Sequence, residues 1–328
     1  MIRNILSRFY PETERPAEAM RVVPLSQWRS LLSTLNSKVD KCVLHTTITI
    51  SGTRNVNSST MTDLSTLYVD WDTSRKYAQH RHRYSPQVFR IISDYCRQAG
   101  NDLDLAVDIG CGPGNSTVGF AEHFMKVLGI DSSHTQIEFA PKHIPNCDFK
   151  VASAHDLQFI HEETVDMVCS GMAFNLMPSD KTLTEVKRIL KPGGTFAIFG
   201  HGPPRCSDER MERFVNAAVS DLKPRILREF SPILNNYKNV EHPYPEAIRV
   251  PDVVVRHSMS LSGVLSVYEF MQRVLSEYAN PQDTHGTFLK DVKSRVTDFF
   301  PDIGDEAEDP SFEFLFDIVI LLGSKPGH

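Results

Sequence analysis

One stretch constrains this chain more than any other: Leu103 to Gly114, LDLAVDIGCGPG. Leu105, Ala106, Val107 and Ile109 form a short apolar run of the kind that makes a parallel strand buried on both faces. Gly110, Gly112 and Gly114 follow at alternate positions. Glycine reaches backbone angles closed to other residues and lets a ligand approach the main chain. Asn115 and Ser116 then offer cap-type side chains ahead of an apolar-periodic segment, Val118 to Val127. The expectation is strand, glycine bend, helix, with backbone N–H groups gathered at a helix N-terminus where a polar ligand can be held. Asp108 stands just before the bend, where it can orient the loop or accept a hydrogen bond from a cationic ligand.

A second acid follows at a telling distance. Lys126 to Ile130 reads as the next strand, and Asp131 ends it. That is about where a carboxylate grips the ribose diol in a nucleotide-binding βαβ unit. A dinucleotide oxidoreductase also wants an acid there, but its fingerprint is G-x-G-x-x-G. Gly110, Gly112 and Gly114 spell G-x-G-x-G, and Asp108 would crowd a pyrophosphate. A nucleoside carrying a positive sulfonium suits this acidic loop better.

VDIGCGPG followed by GIDSS resembles the first two motifs of class I S-adenosylmethionine-dependent methyltransferases. The likeness covers about Tyr68 to Phe199, and LKPGG before the strand Thr195 to Phe199 also matches. YAQHRHRY, Tyr77 to Tyr84, followed by Ser85-Pro86, is similar to the segment before the core in trans-aconitate methyltransferase-like, small-molecule enzymes. The resemblance implies a Rossmann-like α/β fold. Its seven-stranded, mostly parallel sheet would carry helices on both faces and an antiparallel closing strand, with an inserted substrate-covering region. It also implies S-adenosyl-L-methionine as cofactor. Cofactor-binding residues would be Tyr77, Arg81, Asp108, Gly110, Cys111, Gly112, Gly114, Asp131, Ser132, Ser153, Ala154 and Ser170. Ser132 follows the acid, where the family contacts adenine or ribose. Ser153, a weaker acceptor, stands where relatives often carry an Asp, and the Ala154 backbone N–H can still serve the adenine. Tyr77 and Arg81, four apart, share a face if helical.

Composition narrows the field. A net charge of −6 gives no electrostatic footprint for nucleic acid. The six cysteines are scattered without a CxxC pair, which suits a reducing, cytoplasmic setting and neither a zinc ribbon nor a redox motif. His80 and His82 alternate without further ligands, so no metal is expected. No apolar run approaches the roughly 20 residues of a membrane span. A small-molecule substrate is the expected partner, and oligomeric state is not legible.

The chain divides, on this view, into an N-terminal extension, 1–60, partly disordered, and a methyltransferase domain, 61–328. Within the domain the core is 86–200 and the substrate-covering insertion runs over about 201–280. Ser132 is expected to cap a helix from Ser133 to Ala140, and LKPGG to stop the helix Asp180 to Leu190. A further apolar strand, Thr164 to Gly171, places Ser170 at a carboxyl end, where the crevice of an open α/β sheet lies.

Acceptor contacts are sought in Asn175, His242 and Arg249. Asn175 matches a position where relatives often have His, and it can only hydrogen-bond. No catalytic acid–base dyad stands out. Methyl transfer from a sulfonium to an ionised carboxylate needs positioning and little else. The expected function is therefore methyl transfer to a small molecule, with O-methylation of a carboxylic acid as one form. The alternative is a non-catalytic S-adenosylmethionine-binding protein of the same fold, to which Ser153 and Asn175 lend support.

Overall fold

The computed structural model describes residues 75, 84–177, 180–222, 231–268, 296, 298–301 and 309–327. All belong to one unit of the chain, 59–328. The expected extension and the Tyr77–Arg81 pair lie outside the described residues.

Helix α1, Pro86–Gln98, starts where Ser85 accepts a hydrogen bond from the Gln87 N–H and Pro86 occupies the first turn. It buries Val88, Phe89, Ile92 and Cys96, one stripe at helical spacing. Then come β1, Leu105–Ile109; α2, Asn115–Phe120; β2, Lys126–Asp131; α3, His134–Glu138; and β3, Cys147–Val151. Strand β4, Val165–Gly171, leads through a 3-10 turn, Phe174–Leu176, to α4, Asp180–Ile189. Strand β5, Leu190–His201, is followed by the two-residue β6, Arg205–Cys206, and by α5, Glu209–Leu222, and α6, Ser231–Leu234. Two long strands finish the chain: β7, Ile248–Ser260, and β8, Ser311–Ser324.

The sheet runs β3-β2-β1-β4-β5-β8, with β7 on the far side of β8 and β6 beside its first half. Strands β1 to β5 pair in parallel, whereas β8 is antiparallel to β5, β6 and β7. The last strand of the chain is thus the antiparallel one, as expected. It lies between β5 and β7 and is not the sheet's edge. Residues 248–260, expected within the covering insertion, are a strand of this sheet.

Each face of the sheet has its own core. Ala106, Cys169, Ala197 and Phe199 pack with Phe89 and Ile92 of α1 and Phe214 of α5. Val107, Ile109, Val168, Phe196 and Ile198 pack with Val186 and Ile189 of α4. The lower end of β1 is anchored by buried Asp166, whose carboxylate accepts from the Asp104 and Leu105 N–H groups and from Lys191.

Two local expectations are corrected, and LKPGG does end its helix, at Ile189. Helix α2 ends at Phe120, because Lys126 must begin β2 opposite Leu105, and the Asn146 amide holds the Ala121 and Phe124 carbonyls between them. Ser133, not Ser132, caps α3, its hydroxyl accepting from the Gln136 N–H. The LKPGG segment enters β5 as a bulge. Gly193, at φ +77°, donates to the Lys325 carbonyl, and Lys325 donates back to Gly194.

Candidate functional site

The carboxyl ends of β1, β2, β3 and β4 meet on one rim, the place where an open parallel sheet binds its ligands. The glycine bend is tied down from within. Gly110 and Cys111 N–H groups both donate to the Ile130 carbonyl, at 2.8 and 3.1 Å. Gly112 N–H donates to Asp131 Oδ2 at 2.8 Å, and Gly114 N–H to the Cys111 carbonyl at 3.0 Å. These N–H groups serve the protein itself, so the bend offers a ligand its shape more than its donors.

All three glycines have left-handed φ, from +55° to +86°, but their surroundings differ. A Cβ on Gly110 would stand 2.6 Å from Ala173 and Met177, and one on Gly114 would stand 2.5 Å from the Phe149 ring. A Cβ on Gly112 would meet only Gln136 Oε1, at 3.6 Å. Gly112 is therefore the open position, where a side chain would fill the space a ligand needs.

Asp131 faces that position. Its two carboxylate oxygens accept one backbone N–H each, Oδ2 from Gly112 and Oδ1 from Ser133 at 2.8 Å. A carboxylate has about four lone-pair directions. One remains on each oxygen, which matches two hydroxyls on adjacent carbons. Burial raises its pKa, while the bonds from Ser133 and Gly112 oppose the rise. Beside the bend, Asn115 Nδ2 is a buried donor with no hydrogen-bond partner among the described residues. An acceptor pair, an open glycine and an unmet donor together fit a polar, diol-bearing ligand.

Of the two roles expected for Asp108, orienting the loop is the one its bonds serve, and contact with the cofactor is not. Asp108 is 0% exposed, so it presents no surface for a ligand to touch. Its Oδ2 accepts from the Ser116 and Thr117 hydroxyls at 2.6 and 2.7 Å, and Oδ1 from the Cys169 thiol at 3.6 Å. It orients the start of α2, and burial pushes its pKa up to about 6 against those three bonds. Ser170 is likewise fully buried and donates to the Ile109 carbonyl at 3.0 Å, tying β4 to β1 in place of contacting a ligand. Cys111 is buried, its thiol directed to the Gly112 carbonyl.

Ser132 is exposed beside Asp131. Ser153 and Ala154 follow β3 on the same rim, joined to it by the Ala152 N–H bond to the Asp131 carbonyl. The Ser153 hydroxyl accepts from the His155 N–H, forming a turn.

Two basic candidates are corrected. His242 Nδ1 accepts from the Tyr244 N–H, which leaves the ring proton on Nε2 to donate to the Phe196 carbonyl at 3.0 Å. The imidazole stands against Phe196, midway along β5, and burial lowers its pKa. Arg249 donates to the Tyr237 carbonyl at 2.8 Å and to that of Val240 at 3.4 Å. Neither forms a clamp for an acceptor. Asn175 does reach the rim, where its Oδ1 accepts from the Tyr237 hydroxyl at 3.2 Å. Sequence reasoning named Ser116 only as a cap-type residue and missed Thr117 and Gln136. Only Gln136 carried a local signal, the S-x-x-Q capping pattern from Ser133.

No group of three or more metal-ligating side chains occurs among the described residues. None of their helices is long and apolar enough to cross a membrane.

Comparison with known proteins agrees with this geometry. Residues 106–194, from β1 into the bulge of β5, match the family model described as a methyltransferase domain. That segment is similar to methyltransferase domains and makes up about a quarter of the chain. A Dictyostelium discoideum protein described as a methyltransferase is 31% identical over 129 residues, 39% of this chain and 47% of its own length. A trans-aconitate 2-methyltransferase from Azoarcus is 28% identical over 207 residues, 61% of this chain and 73% of its own. The chain spans about half the length of the first curated relatives it matches. A protein from Anaeromyxobacter dehalogenans described as a type II methyltransferase shares the fold, with a TM-score of 0.59 and 22% identity over 76% of this chain and 99% of that one.

Proposed function

We propose that this protein is an S-adenosylmethionine-dependent methyltransferase acting on a small molecule, by O-methylation of a carboxylic acid. The observation that carries the proposal is Asp131, with one acceptor direction left on each carboxylate oxygen beside the open Gly112. Asp131 would hold the ribose hydroxyls, Gly112 would let the nucleoside lie against the backbone, and Asn115 Nδ2 would donate to a polar group of the cofactor.

Bound S-adenosylmethionine would supply a methyl group on a positive sulfur; an acceptor oxygen lone pair forms the new C–O bond as the C–S pair returns to sulfur. An ionised carboxylate acceptor has no proton to lose, so the chain needs no general base. Its task is in-line placement and exclusion of water. The chain's likeness to trans-aconitate 2-methyltransferases supports a carboxylate acceptor.

The test is transfer from deuteromethyl S-adenosylmethionine to trans-aconitate and a panel of aliphatic and aromatic carboxylic acids, followed by mass spectrometry. A labelled ester is the expected result. Donor binding without any labelled product would favour a second reading, a non-catalytic cofactor-binding protein. That reading draws on His242 and Arg249, both engaged with backbone carbonyls.

A further inference from the structure

The loop that leaves β3 is pinned at two points, and the second is an ion pair on α4. Upstream, the Ala152 N–H donates to the Asp131 carbonyl at 2.9 Å. Downstream, the Leu157 N–H donates to Glu185 Oε2 at 2.7 Å. Residues 153–156 bridge the two pins as a turn. The Asp156 N–H donates to the Ser153 carbonyl at 3.1 Å, and the His155 N–H to the Ser153 hydroxyl at 3.2 Å. Ala154 is buried within this turn, while Ser153, His155 and Asp156 are exposed.

Arg188 completes the second pin. Its Nε donates to Glu185 Oε1 at 2.8 Å and its Nη2 to Oε2 at 2.9 Å, a forked pair across one turn of α4. The same guanidinium donates to the Leu157 carbonyl through Nη2, at 2.8 Å, and to the Ile160 carbonyl through Nη1, at 2.9 Å. Glu185 is buried and Arg188 half-buried. Leu157 and Ile160 pack in the core beside Val186 and Ile189.

That packing alone would close the corner, since apolar contact is strong but has no direction. A buried ion pair adds little stability beyond what apolar side chains provide. What it adds here is aim: three bonds to the loop backbone, from one rigid fork and the carboxylate it orients. Lysine offers no such fork.

The upstream pin belongs to Asp131, the residue whose carboxylate faces Gly112. Any slip at Leu157 therefore moves Ser153 and Ala154 relative to Asp131. Those are the residues expected at the adenine and at the ribose of one nucleoside.

We propose that Glu185 and Arg188 are positioning residues for the purine: through Leu157 they set where Ala154 stands relative to Asp131, and so how sharply the site selects adenine. Both act through the loop and not on the cofactor. This rests on the S-adenosylmethionine binding proposed above.

The test uses the full chain, each variant first checked for native circular dichroism. Arg188→Lys keeps a charge beside Glu185 and removes the fork. Glu185→Gln keeps the shape and removes the charge. Calorimetry compares S-adenosylhomocysteine with S-inosylhomocysteine, which places an N–H where adenine offers a ring acceptor. A site built to donate there rejects the inosine form. The wild type should prefer the adenine form at least tenfold. Arg188→Lys should weaken S-adenosylhomocysteine about fivefold and the inosine form less than twofold, which cuts the preference by more than half. Glu185→Gln should cut it likewise. At saturating donor and acceptor, kcat should change less than threefold.

The preference is a ratio within one protein, so a loss of stability alone does not move it. The proposal is overturned if both variants keep the wild-type preference, if the two ligands weaken alike, if the wild type shows no preference, or if neither variant folds. Failure of the wild type to bind S-adenosylhomocysteine would instead sink the proposed function itself.

Discussion

Replacing Asp108 with asparagine should strip the protein of a specific pH dependence of stability. The carboxylate is fully buried, and burial raises its pKa from 3.8 to about 6. Bonds from Ser116, Thr117 and Cys169 work against that rise, and the charge of Asp131 adds to it. Between those two values the folded chain keeps a proton that the unfolded chain has lost. Protonation therefore favours the fold. The contribution is fully present below 3.8 and is lost as pH rises through about 6. A rise of that size is worth roughly 3 kcal/mol between its limits, and about 1 kcal/mol between pH 7 and pH 5. Other groups titrate in both proteins, so the difference between them isolates Asp108. Urea unfolding of wild type and Asp108→Asn at pH 7, 6 and 5 should show the gap moving about 1 kcal/mol in favour of the wild type as pH falls. A gap that stays level, or moves the other way, would mean that the three donors outweigh burial and hold the carboxylate at or below its ordinary value.

Other outcomes follow from the rim. Gly114→Ala must displace the Phe149 ring and should destabilise by about 2–4 kcal/mol in chemical denaturation. Gly112→Ala meets open space and should lose only about 1–2 kcal/mol of stability, yet weaken S-adenosylhomocysteine more than tenfold by calorimetry. Ser170→Ala removes a buried bond between β4 and β1. It should cost about 1–2 kcal/mol of stability while cofactor affinity stays within twofold. A chain beginning at Met61 should fold and keep that affinity, as a thermal shift with S-adenosylhomocysteine would report.

What was legible in the sequence follows from how local each signal is. Strands β1, β2 and β4 announce themselves because parallel strands buried on both faces leave near-continuous apolar runs between turns. Asp131 was legible by its spacing from the glycines alone. Helix α2 was overdrawn because its apolar period runs on past Phe120, and only the distant pairing of Lys126 with Leu105 ends it.

Asp108 was found, but the sequence could not choose between orienting the loop and touching the ligand. Its partners Ser116, Thr117 and Cys169 come together only once the sheet forms. His242 and Arg249 look like ligand clamps in a proline-broken stretch. Such a stretch leaves carbonyls without strand partners, and Arg249 satisfies those of Tyr237 and Val240, while His242 turns to the Phe196 carbonyl of β5. The union of Tyr237 with Asn175, 62 residues apart, had no local trace at all.

The most direct measurement is a calorimetric titration of S-adenosylhomocysteine into the wild type and into Asp131→Ala, each first checked for native circular dichroism. Two hydroxyl bonds to a charged acceptor are worth about 1.5–3 kcal/mol each. The wild type should bind one equivalent, and the variant should bind at least tenfold more weakly. Equal affinity in both proteins, or no heat from the wild type, would contradict the assignment of the glycine bend and Asp131 as the cradle of the nucleoside.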